Sequence, residues 1–282
     1  MGSIDLEHLR TWIGKSRANE DLIAARHAGL MAATVDYPAE RIGDGEALPP
    51  LWHWIYFLEG LPSRELGRDG HPARGGFLPP VPLANRMWAG GRVSFLAPVR
   101  IGSIVRKESS ILNVEHKTGR SGDLVFATVL HELKSPQGEL LIREEHDIVY
   151  KDANAPGKAA AVAPPAMPAQ FSRTWTPTTT TLFRYSALSF NGHRIHYDAD
   201  YCRNVEGYPN LVIHGPLTAT LLASHAEEVS GRRLRDFTYR GVSPALLGDS
   251  ITLHANALED RVVLYATRDE HTVCMQAEAT LG

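Results

Sequence analysis

Cysteine is scarce in this chain. Of 282 residues only Cys202 and Cys274 are cysteines, and neither sits in a C-x-x-C pair. Two cysteines build no disulfide framework and no thiolate metal cage, so a reducing compartment is the simplest expectation. Long apolar runs are also missing: none approaches the ~18 residues of a membrane span. The first residues, MGSIDLEHLRTWIGKS, carry early acids and no apolar stretch, unlike a secretory signal. No charge of one sign dominates. Lys and Arg number 29 against 32 Asp and Glu, the net charge is -3, and no run of five like charges occurs. A nucleic-acid surface or a charged tail is therefore not expected. What is present is globular: 43% hydrophobic and 22% charged residues, in a chain long enough for one large domain or two small ones, each with a core.

Helical periodicity runs over 5–14 and 19–34, with Leu22, Ala25, Leu30 and Ala33 on one face and Ile23 at its edge. LPPLWHWIYFL (48–58) is a short, very apolar element. The Gly/Pro-rich segment 60–82 is too long for a simple connection and reads as a lid or binding loop. Three strand-like runs follow, at 104–116, 124–134 and 140–151, separated by the glycine-bearing turns KTGRSGD and SPQGE. The Ala/Pro-rich segment after Lys151 has no period and reads as a linker. The expected units are thus 1–151, a linker over 152–180, and 181–282.

The second unit repeats the order of the first. Pro98 and Gly102, in VSFLAPVRIGS, recur as Pro244 and Gly248 in YRGVSPALLGD, and three strand-like runs follow again at 250–258, 261–268 and 272–281. One clear helix precedes them. In HGPLTATLLASHAEEVSG (214–231), Pro216 suits the first turn and Gly231 the stop, and Leu217, Leu221, Leu222 and Val229 share a face. A long apolar helix wrapped by an antiparallel meander is the α+β hot-dog arrangement, and two halves make a double hot-dog.

The stretch SFNGHRIHYDADY (189–201) packs two histidines, an asparagine, an arginine and two aspartates between apolar segments. A zinc site needs three or four converging ligands. His193, His196 and His214 have no H-E-x-x-H spacing and no suitably placed cysteine, so no metal is expected. Acid/base work fits better, because a histidine titrates near neutral pH. The segment YSALSFNGHRIHYD (185–198) resembles the hydratase motif of MaoC-like dehydratases, and HGPLTATLL (214–222) resembles the start of their central helix. The variant His-Arg-Ile-His-Tyr-Asp, with GGFLPPVPLANRMWAGG (75–91), resembles the branch of itaconyl-CoA/mesaconyl-CoA hydratases and type 2 hydroxyacyl-thioester dehydratases.

The resemblance implies water addition to an enoyl thioester, with acyl-CoA or acyl carrier protein as partner and no cofactor. It implies a cytoplasmic enzyme, or a mitochondrial one in a eukaryote. His196 would be the acid/base, and the Gly215 N–H at the helix start would bind the thioester oxygen, where enolate charge develops. Asn191 stands where the wider family has Asp. A carboxamide takes no proton, so it would orient water or substrate, or another carboxylate (Asp198, Asp200 or Glu144) would substitute. Arg194 would meet coenzyme phosphate or a substrate carboxylate, with Arg240 a second phosphate candidate. Tyr185, Ser189, His193 and His214 complete the expected substrate-binding set. The N-terminal half lacks the motif and reads as a degenerate copy that shapes the acyl pocket, with Trp52, Trp54, Phe57 and Trp88 as lining candidates. The favoured substrate is itaconyl-CoA or mesaconyl-CoA, giving citramalyl-CoA. A 3-hydroxyacyl-thioester dehydratase of fatty-acid metabolism, a hot-dog thioesterase and a non-catalytic acyl-CoA-binding module are the alternatives. Monomer and homodimer of the double unit both remain open.

Overall fold

The computed structural model describes residues 4–119, 122–151, 168–269 and 272–282. The strands are β1 (Ser16–Leu22), β2 (Asn85–Phe95), β3 (Ile104–Gly119), β4 (Gly122–Lys134), β5 (Leu140–Lys151), β6 (Phe171–Trp175), β7 (Leu234–Gly241), β8 (Ile251–Ala257), β9 (Arg261–Arg268) and β10 (Thr272–Leu281). They form one antiparallel sheet in the order β1-β3-β4-β5-β2-β7-β10-β9-β8-β6. That order reads alike from both ends: each half is a meander closed on one side by its first strand and on the other by the strand that precedes the meander. The halves meet where β2 pairs with β7, from Gly90 opposite Arg240 to Ser94 opposite Asp236. Gly102 and Gly248 occupy the same place in the two copies, and both have positive φ, 90° and 105°. The double hot-dog expected from the sequence is the architecture observed.

The α-helices among the described residues are α1 (Leu6–Arg10), α2 (Ala25–Val35), α3 (Thr179–Leu188), the single turn α4 (Ala199–Tyr201) and α5 (Gly215–Ser230). Thr178 caps α3 in a reciprocal box with Thr181. α5 ends on Gly231 in the left-handed region, φ 66°. Leu217 through Ala223, His225 and Ala226 of α5 are all buried, which fits a helix apolar nearly all round, packed against β7, β8, β9 and β10. The first half has no such helix. Between α2 and β2 it carries only short 3₁₀ turns, among them Trp52–Ile55, so the degenerate half has no second helix N-terminus of this kind among the described residues.

Three expectations are corrected. Residues 19–34 are not one helix, because Ser16–Leu22 pairs with β3 as an edge strand. The buried face of α2 is Ala28, Met31, Ala32 and Val35, whereas Leu22 and Leu30 are about half exposed. The linker expected over 152–180 lies outside the described residues up to 167, and at its end Phe171–Trp175 is strand β6, paired with β8. Among the described residues, no helix is long and apolar enough to cross a membrane.

Candidate active site

The motif follows α3 as a compact loop. Ser189 closes the helix, and its Oγ donates its proton to the Tyr185 carbonyl (2.6 Å), so toward Asn191 or water it can act only as an acceptor. Asn191 makes a tight turn, its N–H donating to the Ser186 carbonyl (2.8 Å) and its Oδ1 accepting from the His193 N–H (3.0 Å). The carboxamide oxygen is therefore engaged, and its N–H₂ is the end able to face a ligand.

His196 is 7% exposed. Its Nδ1 lies 2.7 Å from the Val212 carbonyl, which can only accept, so the proton sits on Nδ1 and Nε2 carries a lone pair. Burial pushes the ring's pKa down to about 4, against which the Val212 bond works only in part. The ring is thus a neutral base at neutral pH. It stacks on His214 at 3.6 Å, and His214 is the residue just before Gly215 and α5. His214 is fully buried. Its Nε2 meets Ser186 Oγ at 2.9 Å, and Tyr185 packs edge-on against it at 4.9 Å. Its side chain makes no cap bond to α5, so it fixes the plane of His196 rather than the helix start.

The His196 ring therefore stands beside the positive end of a 16-residue helix whose first N–H groups have no partner within the helix. Gly215 is there for a steric reason. A Cβ would come within 2.8 and 2.9 Å of two carbons of the Trp88 ring. In Gly215→Ala either that indole or the helix start must move. The activity should fall by roughly 10–100-fold as the N–H donor leaves its place, and the overpacking should cost about 1–3 kcal/mol. Measured kcat/KM and Tm check this: a variant with a raised Tm, as alanine in an open helix position would give, contradicts the close contact.

Other expected residues fall elsewhere. The Arg194 guanidinium is held by Asp198 (2.7 and 3.0 Å) and the Arg68 carbonyl (3.2 Å), and it lies 4.2 Å over the Tyr201 ring. It braces the loop through these contacts, with its side chain 40% exposed. Asp198 is spent on Arg194 and on capping α4 through the Tyr201 N–H. Asp200 is exposed. Glu144 is 2% exposed in the first half, accepting from His53 (3.0 Å) and Trp54 (2.9 Å). None of the three substitutes for a carboxylate at position 191. Arg240 follows the buried Tyr239 on β7 and points to the outer face of the sheet, away from His196. Of the four aromatic candidates, Trp88 reaches Gly215, while Trp52 and Phe57 are buried in the core.

The first half supplies what the motif did not reveal. The loop after residue 60 docks on the motif backbone to backbone: the Arg194 N–H donates to the Asp69 carbonyl (2.9 Å), and Gly70 lies so close to the Gly192 carbonyl that neither chain leaves room for a side chain at Gly70. This brings His71 within 4.2 Å of His193, whose ring is 5.5 Å from His196. Asp69 receives the His71 Nδ1 (3.2 Å) and lies 3.7 Å from Arg86. Burial alone would raise the Asp69 pKa, but His71 and Arg86 hold it well below the usual carboxylate range. Burial lowers the pKa of both His71 and His193. The pattern 67-GRDGH-71 inside an over-long loop was the available signal. A separate cavity of about 480 Å³ lies at the other end of α5, among Pro49, Phe95, Pro98, Glu227 and Arg233, and contains none of these residues.

The family described as hydroxyacyl-thioester dehydratase type 2 matches residues 51–247. Mesaconyl-C(4)-CoA hydratase of Chloroflexus aurantiacus is 43% identical over 273 residues, 96% of this chain and 97% of that protein. The mitochondrial hydroxyacyl-thioester dehydratase type 2 of Schizosaccharomyces pombe is 27% identical over 232 residues, covering 73% of this chain and 77% of that one. Among solved structures, a MaoC-like dehydratase from Phytophthora capsici superposes with a TM-score of 0.75 at 12% identity, over 99% of this chain and 98% of that one.

Proposed function

Because the chain belongs to the hydroxyacyl-thioester dehydratase type 2 family, and is thereby a hydro-lyase acting on acyl thioesters, we propose that its substrate is a branched C5 dicarboxyl enoyl-CoA, mesaconyl-CoA or itaconyl-CoA, hydrated to citramalyl-CoA. The acyl assignment is supported by the 43% identity, over nearly the whole chain, to a mesaconyl-C(4)-CoA hydratase. The observation that carries the chemistry is His196, with its proton fixed on Nδ1 and its bare Nε2 beside the start of α5.

The reaction follows from that arrangement. Nε2 takes one proton from water while the water oxygen bonds to the β-carbon. For mesaconyl-CoA, whose C=C is conjugated with the thioester, the electron pair moves toward the thioester, and the enolate oxygen is held by the Gly215 N–H and the helix end. The imidazolium then returns a proton to the α-carbon, so His196 ends as it began and one water has been added. Asn191, with only its N–H₂ free, donates to the water oxygen and orients its lone pair. Dehydration is the same path reversed.

A panel of CoA thioesters tests the substrate. The carboxylated C5 enoyl-CoA should give the highest kcat/KM, above crotonyl-CoA and well above long-chain enoyl-CoA. A preference for long acyl chains or for acyl carrier protein would instead support a 3-hydroxyacyl-thioester dehydratase of fatty-acid metabolism. Free thiol release in place of hydration would mean a thioesterase, and binding without turnover would mean an acyl-CoA-binding module.

A further inference from the structure

We propose that Arg86 and His193 form the subsite for the free carboxylate of the acyl group, which would make them the residues that select a dicarboxyl substrate; this rests on the substrate proposed above. In such an enoyl thioester the carboxylate hangs on, or one carbon from, the carbon that water attacks. It must therefore lie next to whatever stands beside His196. Apart from His214, which is stacked on it and lies at the helix start, the ring beside His196 is His193, at 5.5 Å, and beyond it the side chains that come within reach are His71, Asp69 and Arg86.

Arg86 reaches this place by register. It precedes Trp88 by two residues on β2, so both project to the inner face, where they pair with Tyr150 and Ile148 of β5. Trp88 covers Gly215, and Arg86 is one pleat away, ~7 Å along the strand. Its side chain is only 9% exposed, yet its contacts are loose: Asp69 at 3.7 Å and the Pro72 carbonyl at 3.4 Å. Arg74 close by is different, because its guanidinium is closed onto the carbonyls of Val81, Leu83 and Ala84. A buried guanidinium with N–H groups to spare is suited to a carboxylate, which it can grip with two parallel bonds. Two further observations point the same way. The hydroxyl of Tyr150, opposite Arg86 and fully buried, has the Arg86 guanidinium as its polar neighbour but makes no hydrogen bond of ordinary geometry among the described residues. Nor is a hydrogen bond to the His193 ring found among them, and that ring is held neutral by burial, so it has an N–H to donate. His71 and Asp69 act as positioning residues: His71 packs on His193, and Asp69 holds His71 on one side and Arg86 on the other.

The test compares kcat/KM for mesaconyl-CoA with that for crotonyl-CoA in wild type, Arg86→Gln, Arg86→Lys and His193→Gln. The ratio of the carboxylated to the uncharged substrate should fall by about 100-fold in Arg86→Gln, mostly through KM, as expected for losing a hydrogen-bonded charge partner. Arg86→Lys should recover part of the ratio. An equal loss on both substrates would overturn the proposal, since it would mean a structural role. If Arg86→Gln does not fold, the ratio in His193→Gln decides: unchanged, it sinks the subsite. A wild type that hydrates only uncharged or long thioesters defeats the substrate reading before any variant is compared, and the subsite with it. Metal analysis adds one more outcome. Asp69, His71 and His193 bring three ligand atoms within 4.8 Å of one another. One equivalent of transition metal retained after dialysis would make them ligands and overturn the assignment.

Discussion

Replacing His196 by alanine is expected to lower kcat for hydration by about 10³-fold, within the range general acid–base groups contribute. The ring is the group whose lone pair is fixed in direction, by the Nδ1 bond to Val212 and the stacking on His214, and whose neutral form is held by burial. No nearby carboxylate takes over, since Asp198 is tied to Arg194 and Glu144 to His53 and Trp54. The variant also leaves the Val212 carbonyl without its donor, costing about 1–3 kcal/mol, so its fold should be checked by circular dichroism beside the assay. Because the wild-type ring's pKa is pushed to about 4, the base stays unprotonated through the neutral range, and kcat/KM should not fall off near pH 6.5 as it would for an ordinary histidine. Full activity in His196→Ala, or a limb of the pH profile near 6.5, would remove His196 from the chemistry.

The second large effect is acid lability. Burial lowers the pKa of His131, His146, His196 and His214, to about 3 for His131 and about 4 for His196. The sign follows from proton binding. A ring whose folded pKa lies below its unfolded value binds more protons when unfolded, so stability is complete above about 6.5 and is lost as pH falls toward the folded values. A ring such as His131 or His196 costs about 1.4 kcal/mol per pH unit in that window, so these two together cost about 3 kcal/mol per unit, and His146 and His214 act in the same direction. A domain stable by about 5–15 kcal/mol cannot absorb that for long, and the chain should unfold between about pH 6 and 4.5. Thermal melts from pH 7.5 to 4.5 check it: a Tm that stays level down to pH 4.5 would mean these rings are solvated or already protonated when folded.

The sequence was most legible where apolar alternation sets the sheet. β5, β9 and β10 have the boundaries read from the residues alone, because burial makes each an apolar or alternating run bounded by turn residues. β1 and β6 left no such trace. SRANEDL and FSRTW are edge strands, largely exposed and held by backbone pairing, which is indifferent to side chains. Around α2 the exposed Leu22, at the end of β1, and Leu30 imitated a core face, while small residues such as Ala28 and Ala32 did the packing. In the site, His196 and Gly215 could be found because a local motif carries them. Asp69, His71 and Arg86 could not, because what brings them there is the docking of a loop from the other half. Arg194 was read as a ligand for phosphate although its partner, Asp198, stands four residues on in the same motif.

The fused sheet, with one half bearing α5 and the other only a 3₁₀ turn in its place, frees the protein from a constraint that binds any pair of identical subunits. In such a pair every substitution is made twice, once in the wall of one site and once in the machinery of its twin. Here His196 and α5 belong to one copy, while the loop carrying Asp69 and His71 and the strand carrying Arg86 and Trp88 belong to the other. Under the subsite proposed above, Arg86 can change in one copy without altering His196 and α5 in the other, while His193 ties the two together.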